Sequence, residues 1–401
     1  MVEAVKKYER GRYKYETNNG EKWETKGQRW EAAKSNIKKT CKNDNSIQKY
    51  HTPYNLCIQA VQYLFDNSST INENTTFGVV YNLEFVMTLL EFGIKPENIT
   101  FISDSSHRNG YIKWYGIKTV YFEKGEDLMS EKMKFGVVVA NPPYKGEFHL
   151  QMYVKFVIMS QNLTLCVNPG AWLFTERPTQ SAWRAKKEVE DYKKNFIFCN
   201  GNAHFDASLW MPCVISLINK KEEDKKALVY TEYDRTEYVY EDISKINKFG
   251  NIPEYYSVRD KILGLTKTDS VWKHSKDEGE ESVPMATIRG HIKETINQMF
   301  DRDFYTFLPD GVKGSESVEK VHNFKFHSKI EAANFAKFLK TKIARFALSI
   351  MKNGGNISRK QLETVPWLDF SQEWTDEILR EKFNITDDEW KFIDKAILNY
   401  H

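Results

Sequence analysis

Several absences narrow what this chain can be. Only five cysteines occur in 401 residues (Cys41, Cys57, Cys166, Cys199, Cys213), odd in number, scattered and never arranged as Cys-x-x-Cys. That usage argues against a disulfide framework and against a cysteine-built structural zinc. Cys57, Cys166 and Cys213 lie inside apolar runs, where a thiol serves as a small core residue. No apolar stretch approaches the roughly 20 residues that span a bilayer, so no membrane partner is expected. The opening "MVEAVKKYERGRYKYE" has no apolar signal core, and the expected location is cytoplasmic. His51, His107, His149 and His204 have no ligand spacing to one another, and Ser160 and Ser208 lack a G-x-S-x-G elbow. Neither a metal site nor a serine hydrolase is expected.

What is present is a globular composition, 41% hydrophobic and 28% charged, long enough for two or three cores. The net charge of +3 is unevenly spread: residues 1–50 hold thirteen Lys/Arg against seven Asp/Glu, an excess of six. Tyr13, Tyr15, Trp23 and Trp30 interleave with these cations. The mixture suits phosphate contact with base stacking, and it equally suits a solvated arm.

From about residue 47 the pattern becomes regular. "PYNLCIQAVQYLF" has helical spacing, "TFGVVY" (76–81) reads as a buried strand, and "LEFVMTLLEFG" as a helix closed by Gly93. "NITFISD" (98–104), "GIKTVYFE" (116–123), "FGVVVA" and "LTLCVNPGAWLF" (163–174) continue the strands, with a helix over "FHLQMYVKFVIMSQ" and another over about 181–193. Such alternation predicts an α/β fold with a doubly wound, mostly parallel sheet. The charged run "KKEEDKK" (220–226) suggests a boundary, beyond which the alternation dissolves. Helical order returns over 330–351, with an apolar stripe of Ile330, Phe335, Phe338, Leu339, Ile343, Phe346 and Ile350. The expected domains are an arm at 1–46, a catalytic unit at 47–222, and a C-terminal α+β or helical unit at 223–401.

The run "FGVVVANPPYKGEF" (135–148) carries the chemistry. Two prolines cannot continue a ladder, so Asn141, Pro142, Pro143 and Tyr144 are held stiffly at a carboxyl strand edge, where open α/β sheets bind ligands. An exocyclic amino group on a base is a poor nucleophile because its lone pair is delocalised into the ring. The Asn141 oxygen and a proline carbonyl can accept its two N–H groups and offset the cost of pyramidalising it. Tyr144 can stack on a base turned out of the duplex.

On these residues the chain resembles the amino-group DNA methyltransferases, chiefly the adenine-N6 enzymes of restriction–modification systems in their gamma order. The resemblance covers most of 47–220 and, more weakly, 320–398, where "VPWLDFSQEWTDEILREKFNITDDEWKFID" is similar to the terminal helices of large members. It implies a Rossmann-like catalytic sheet followed by a target-recognition domain, with S-adenosyl-L-methionine as cofactor. Double-stranded DNA is then the substrate, and a restriction endonuclease or other modification-system protein a possible partner. "KYHTPYNL" (49–56) looks like the segment along the cofactor's methionine end, implicating His51, Thr52 and Pro53. Asp104 matches the acid that binds the ribose hydroxyls, and Asp127 in "EKGEDL" the acid near the cofactor adenine. Phe205 in "NAHFDASLW" matches the aromatic that packs on the flipped base. Lys337, Lys340, Lys342 and Arg345 lie on a helix that faces either DNA phosphates or solvent.

One departure stands out. The family has an acid-Pro-x-x-Gly-x-Gly turn after its first strand, but "FGVVYNLEFVM" has no glycine between Val79 and Gly93. Either Asn82 and Glu84 bind the methionine end in another way, or the cofactor site is weakened or gone, or Asn82 simply caps the next helix. Three readings therefore remain: an adenine-N6 methyltransferase, an inactive relative that binds DNA or a partner, and a base-modifying enzyme with another group donor.

Overall fold

A computed structural model of the chain describes residues 7–9, 12–14, 51–123, 127–128, 132–174, 179–199, 204, 213–231, 236–247, 249–289, 306–307, 317–351 and 359–397. Phe205 and most of the basic N-terminal stretch lie outside the described residues; within that stretch Lys7–Glu9 pairs antiparallel with Arg12–Lys14.

Among the described residues the apolar runs form a nine-stranded sheet. Its strands are β1 (Phe77–Val80), β2 (Ile99–Ser103), β3 (Lys118–Tyr121), β4 (Phe135–Ala140), β5 (Ser160–Pro169), β6 (Tyr192–Cys199), β7 (Cys213–Glu223), β8 (Ala227–Thr231) and β9 (Glu237–Tyr240). Their spatial order is β3-β2-β1-β4-β5-β7-β6-β8-β9. β7 is antiparallel to β5 and β6, and β9 to β8; the other neighbours are parallel. The expected mostly parallel α/β architecture is present.

Helices cover both faces, which is why the strands read as continuous apolar runs rather than alternating ones. On one face α1 (Tyr54–Asp66) and α2 (Leu83–Glu91) bury Leu56, Val61, Phe85 and Leu89 against Val79, Val137, Val139 and Leu165. α3 (Ser106–Lys113) links β2 to β3. On the other face α4 (Phe148–Met159) and α5 (Gln180–Val189) bury Leu150, Phe156 and Ala185 in one core with Val80, Val138, Ala140 and Cys166. The chain order reverses between β1 and β4, the kind of switch point where open sheets bind ligands. Val80 pairs with Ala140, so Tyr81-Asn82 and Asn141-Pro142 leave the sheet side by side.

The charged run at 220–226 lies within this sheet as the end of β7 and its turn into β8, where the Asp224 carboxylate accepts from the Lys226 N–H at 2.9 Å. A third core gathers residues from Phe249 to Ile397. It contains α6 (Pro253–Thr266), the antiparallel pair β10 (Glu281–Arg289) and β11 (Ser317–Phe326), α7 (Lys329–Lys340), α8 (Lys342–Met351), α9 (Asp376–Lys382) and α10 (Asp387–Ala396). The helical stripe expected over 330–351 breaks at Thr341, whose ψ is 151°. Its hydroxyl donates to the Phe338 carbonyl at 2.7 Å and accepts from the Ala344 N–H at 3.2 Å, ending one helix and starting the next. Ile330, expected in the stripe, is 66% exposed. Among the described residues no helix is long and apolar enough to cross a membrane.

The cations of this region are largely engaged. Lys337 pairs with Glu373 at 2.7 Å, Lys342 with Asp394 at 2.5 Å, and Arg345 is fully buried. Arg345 therefore faces neither DNA phosphates nor solvent.

Candidate active site

Asn141 is the last residue of its segment with an N–H before the two prolines. With the ladder ended, that N–H donates to the Asn82 Oδ1 at 2.8 Å. A backbone N–H can only donate, so this bond fixes which end of the Asn82 amide faces β4. The Asn82 Nδ2 is thereby turned to the Thr52 hydroxyl oxygen, 3.1 Å away. The same oxygen accepts from the Asn141 Nδ2 at 2.9 Å. All three side chains are at least 98% buried. The opposite end of the Asn141 amide, Oδ1, is buried without any hydrogen-bond partner.

Pro142 and Pro143 are buried, and the Pro143 carbonyl accepts from the Lys145 N–H at 3.0 Å. The Tyr144 ring is half-buried, edge-on to His149 at 6.4 Å. Its hydroxyl lies inside the protein, facing the Cys213 thiol and the Asn141 amide without closing a hydrogen bond to either. Burial first, then the nearby Cys213 and Cys166 thiols, pushes the phenol well above its ordinary range, against a smaller opposite pull from the Asn141 amide.

The exit of β1 turns at a tyrosine. Tyr81 has φ +68°, and the Asn82 N–H closes back onto the Val80 carbonyl at 3.0 Å, giving a tight three-residue turn. Holding a non-glycine residue there costs on the order of 1–3 kcal/mol. The cost is offset by anchoring: the ring is fully buried, edge-on to Phe122 at 5.6 Å. The Tyr81 carbonyl accepts from the buried Arg108 guanidinium at 3.1 Å. Burial, with Asp104 nearby, pushes the Tyr81 phenol far up. Asn82 occupies the N-cap position of α2 but makes no side-chain cap bond, so it links Thr52 to Asn141 instead of capping the helix.

The remaining sequence candidates separate into groups. Glu84, buried in the first turn of α2, bonds the His51 imidazole at 2.5 Å. Pro53 precedes α1, and its carbonyl accepts from the Cys57 N–H at 3.0 Å. Asp104 is half-buried directly after β2, while Asp127 is exposed beyond β3. Among the described residues no group of three His, Cys, Asp or Glu is placed to hold a metal ion.

Sequence reasoning missed Tyr81, Arg108 and Asn168. Asn168 is fully buried near the end of β5, with neither amide atom hydrogen-bonded. Its signal was available, since "VNPG" repeats the Asn-Pro strand ending of β4 one strand away.

No protein-family model and no curated protein matches the chain. Solved structures give loose likenesses. The methyltransferase subunit of a type I restriction-modification system from Streptococcus thermophilus is 11% identical with a TM-score of 0.37, over 45% of this chain and 47% of that one. A Vibrio vulnificus modification subunit, provisionally assigned to a type I restriction enzyme, is 12% identical with a TM-score of 0.34, over 55% and 53%. A Listeria monocytogenes protein provisionally described as a class I S-adenosylmethionine-dependent methyltransferase is 10% identical with a TM-score of 0.35, over 45% and 65%. The chain thus spans less than two thirds of each of these proteins. Likenesses this loose carry no function across; the chemistry of the site has to.

Proposed function

We propose that this protein methylates the exocyclic amino group of a DNA base, adenine N6, turned out of the duplex into the switch-point edge. The observation that carries the reading is the Asn141 Oδ1: a buried acceptor with no partner, on an amide whose other end is tied down. An unsatisfied buried acceptor costs about 1–3 kcal/mol, and a base amino group supplies the missing N–H. The Pro143 carbonyl already serves Lys145, so the Pro142 carbonyl is the second acceptor for that amino group. The Tyr144 ring stacks on the base, with Phe205 as its second contact.

S-adenosylmethionine fits the donor set. It carries a sulfonium, an ammonium and a ribose diol, and the carboxylates Glu84, Asp104 and Asp127 follow β1, β2 and β3 in turn. Bound there, it supplies an electrophilic methyl group. Asp104 would accept from the diol, His51 and Glu84 would hold the amino-acid end, and Asp127 would lie toward the adenine. Asn141 and Pro142 draw on the two N–H bonds of the target amine, which raises the nitrogen lone pair for in-line attack. One N–H proton is released to solvent once the N–C bond has formed. No group of the protein has to titrate, and no covalent enzyme intermediate is needed. Double-stranded DNA is the substrate on this reading, with the C-terminal core reading sequence and a restriction endonuclease as a candidate partner.

Incubating the protein with labelled S-adenosylmethionine and unmethylated DNA, followed by nucleoside analysis, tests the reading. N6-methyladenine is expected, and Asn141→Ala should lower the rate by roughly 100-fold or more while the fold persists. Retained turnover in that variant would sink the assignment. The buried Tyr81 at the β1 exit favours a second reading, a DNA- or partner-binding protein that no longer transfers methyl. Thermal stabilisation by S-adenosylmethionine separates the two, because only a working pocket shifts the melting temperature.

A further inference from the structure

We propose that Thr52, aligned by Asn82, is the positioning residue that decides which end of the Asn141 amide meets the target amino group; the inference rests on the methyl-transfer reading above. The two ends of an asparagine amide are almost the same size, so shape alone does not orient it. Presented oxygen-first, Asn141 accepts an N–H from the base. Presented nitrogen-first, it sets donor against donor and the amine is not activated.

A relay of three side chains holds the amide oxygen-first. The Asn141 backbone N–H holds the Asn82 oxygen at 2.8 Å, which sends the Asn82 Nδ2 to Thr52 at 3.1 Å. The Thr52 oxygen then accepts the Asn141 Nδ2 at 2.9 Å as its second donor. With its Nδ2 held by Thr52, the Asn141 amide keeps its oxygen end buried and without a partner. Asn141 lies 89 positions from Thr52 and 59 from Asn82, so the clasp is a tertiary device with no counterpart in the local strand geometry. It also changes the role the resemblance implied for Thr52. A hydroxyl with both lone pairs taken by amides has only its proton left for a cofactor.

The test compares Thr52→Val, which keeps the shape and removes the acceptor, with Thr52→Ser, which keeps the hydroxyl. Rates are measured well below the melting temperature of each variant. Thr52→Val is expected to lower kcat by roughly 10- to 100-fold with KM for S-adenosylmethionine little changed, and Thr52→Ser to recover most of it. A raised KM for the cofactor with kcat intact would reassign Thr52 to the cofactor and overturn the proposal. So would a valine variant as fast as wild type, or a serine variant as slow as valine. Asparagine-labelled protein gives a readout independent of turnover. The Asn141 side-chain amide protons, assigned by their loss in Asn141→Ala, should exchange slowly in wild type and Thr52→Ser and fast in Thr52→Val. Equal exchange in all three overturns the clasp even if no methyl is transferred. A wild type without transfer but with a protected amide overturns the methylation reading and the catalytic consequence together.

Discussion

Asn168 and Tyr81 show how much of this molecule is decided side chain by side chain. Asn168 keeps a buried donor and a buried acceptor unpaired near the end of β5, the strand next to β4. Each such atom costs about 1–3 kcal/mol. Leucine has the same branched arrangement of heavy atoms and no polar atom. Asn168→Leu is therefore expected to raise the urea midpoint, by the equivalent of about 1–2 kcal/mol. A lowered midpoint would mean that ordered water already satisfies the amide. Tyr81 carries the opposite lesson. From the sequence, the missing glycine left three options, because left-handed backbone is a glycine habit: another mode of binding through Asn82 and Glu84, a weakened or lost cofactor site, or a plain helix cap at Asn82. In the structure a tight turn is made there at φ +68° by a residue whose ring packs on Phe122, just after β3, and whose carbonyl accepts from Arg108 of α3. Such anchoring comes from groups tens of positions away and leaves no local trace. The Asn-Pro-Pro-Tyr corner was legible because two prolines fix the backbone whatever surrounds them. The Thr52 clasp was not, for it depends on three segments meeting.

At the scale of elements, Lys194 ties the second half of the sheet together. Its ammonium donates to the carbonyls of Glu190, Tyr192 and Asp224 at 2.7–2.8 Å, joining the end of α5 and the start of β6 to the β7–β8 turn. Burial pulls its pKa down from 10.5 to about 8, against the pull of Asp224 and Asp191. The sign follows from proton counting. Between about pH 8 and 10.5 the unfolded chain holds a proton that the folded chain has released, so Lys194 contributes stability that grows with pH across that window. Below it, both states are protonated and the contribution is flat. Urea unfolding of wild type and Lys194→Met should show a gap that is constant from pH 6.5 to about 8 and widens above it. A gap independent of pH would mean that the ammonium is not the titrating group. The charged run beside this lysine suggested a domain boundary from composition alone. Solvation explains why: a turn between two strands of one sheet needs the same polar residues as a boundary does. The break at Thr341 was hidden for a related reason, since the apolar period of α7 continues into α8.

For the whole molecule, the partition of the cores matters more than the sheet. The residues of the two cores flanking the large sheet run from Leu56 to Ile246, and those of the third from Phe249 to Ile397. Phe346 is central to the third, with ring centroids 5.4 Å from Phe249 and 5.7 Å from Phe392. Truncating a buried phenylalanine costs about 3–5 kcal/mol. Spread over a unit of this size, that lowers its melting temperature by roughly 10 °C. Calorimetry of Phe346→Ala should therefore move one transition down and leave the other in place. On the proposed reading, S-adenosylmethionine should raise the transition that Phe346→Ala does not touch, because the carboxylates proposed to hold it, Glu84, Asp104 and Asp127, follow β1, β2 and β3 of the large sheet. If the ligand instead raised the transition that the substitution lowers, the cofactor would be bound by the C-terminal core. If both transitions moved together in every case, the two halves would unfold as one cooperative unit, and recognition and chemistry would be mechanically coupled through the segment around Phe249.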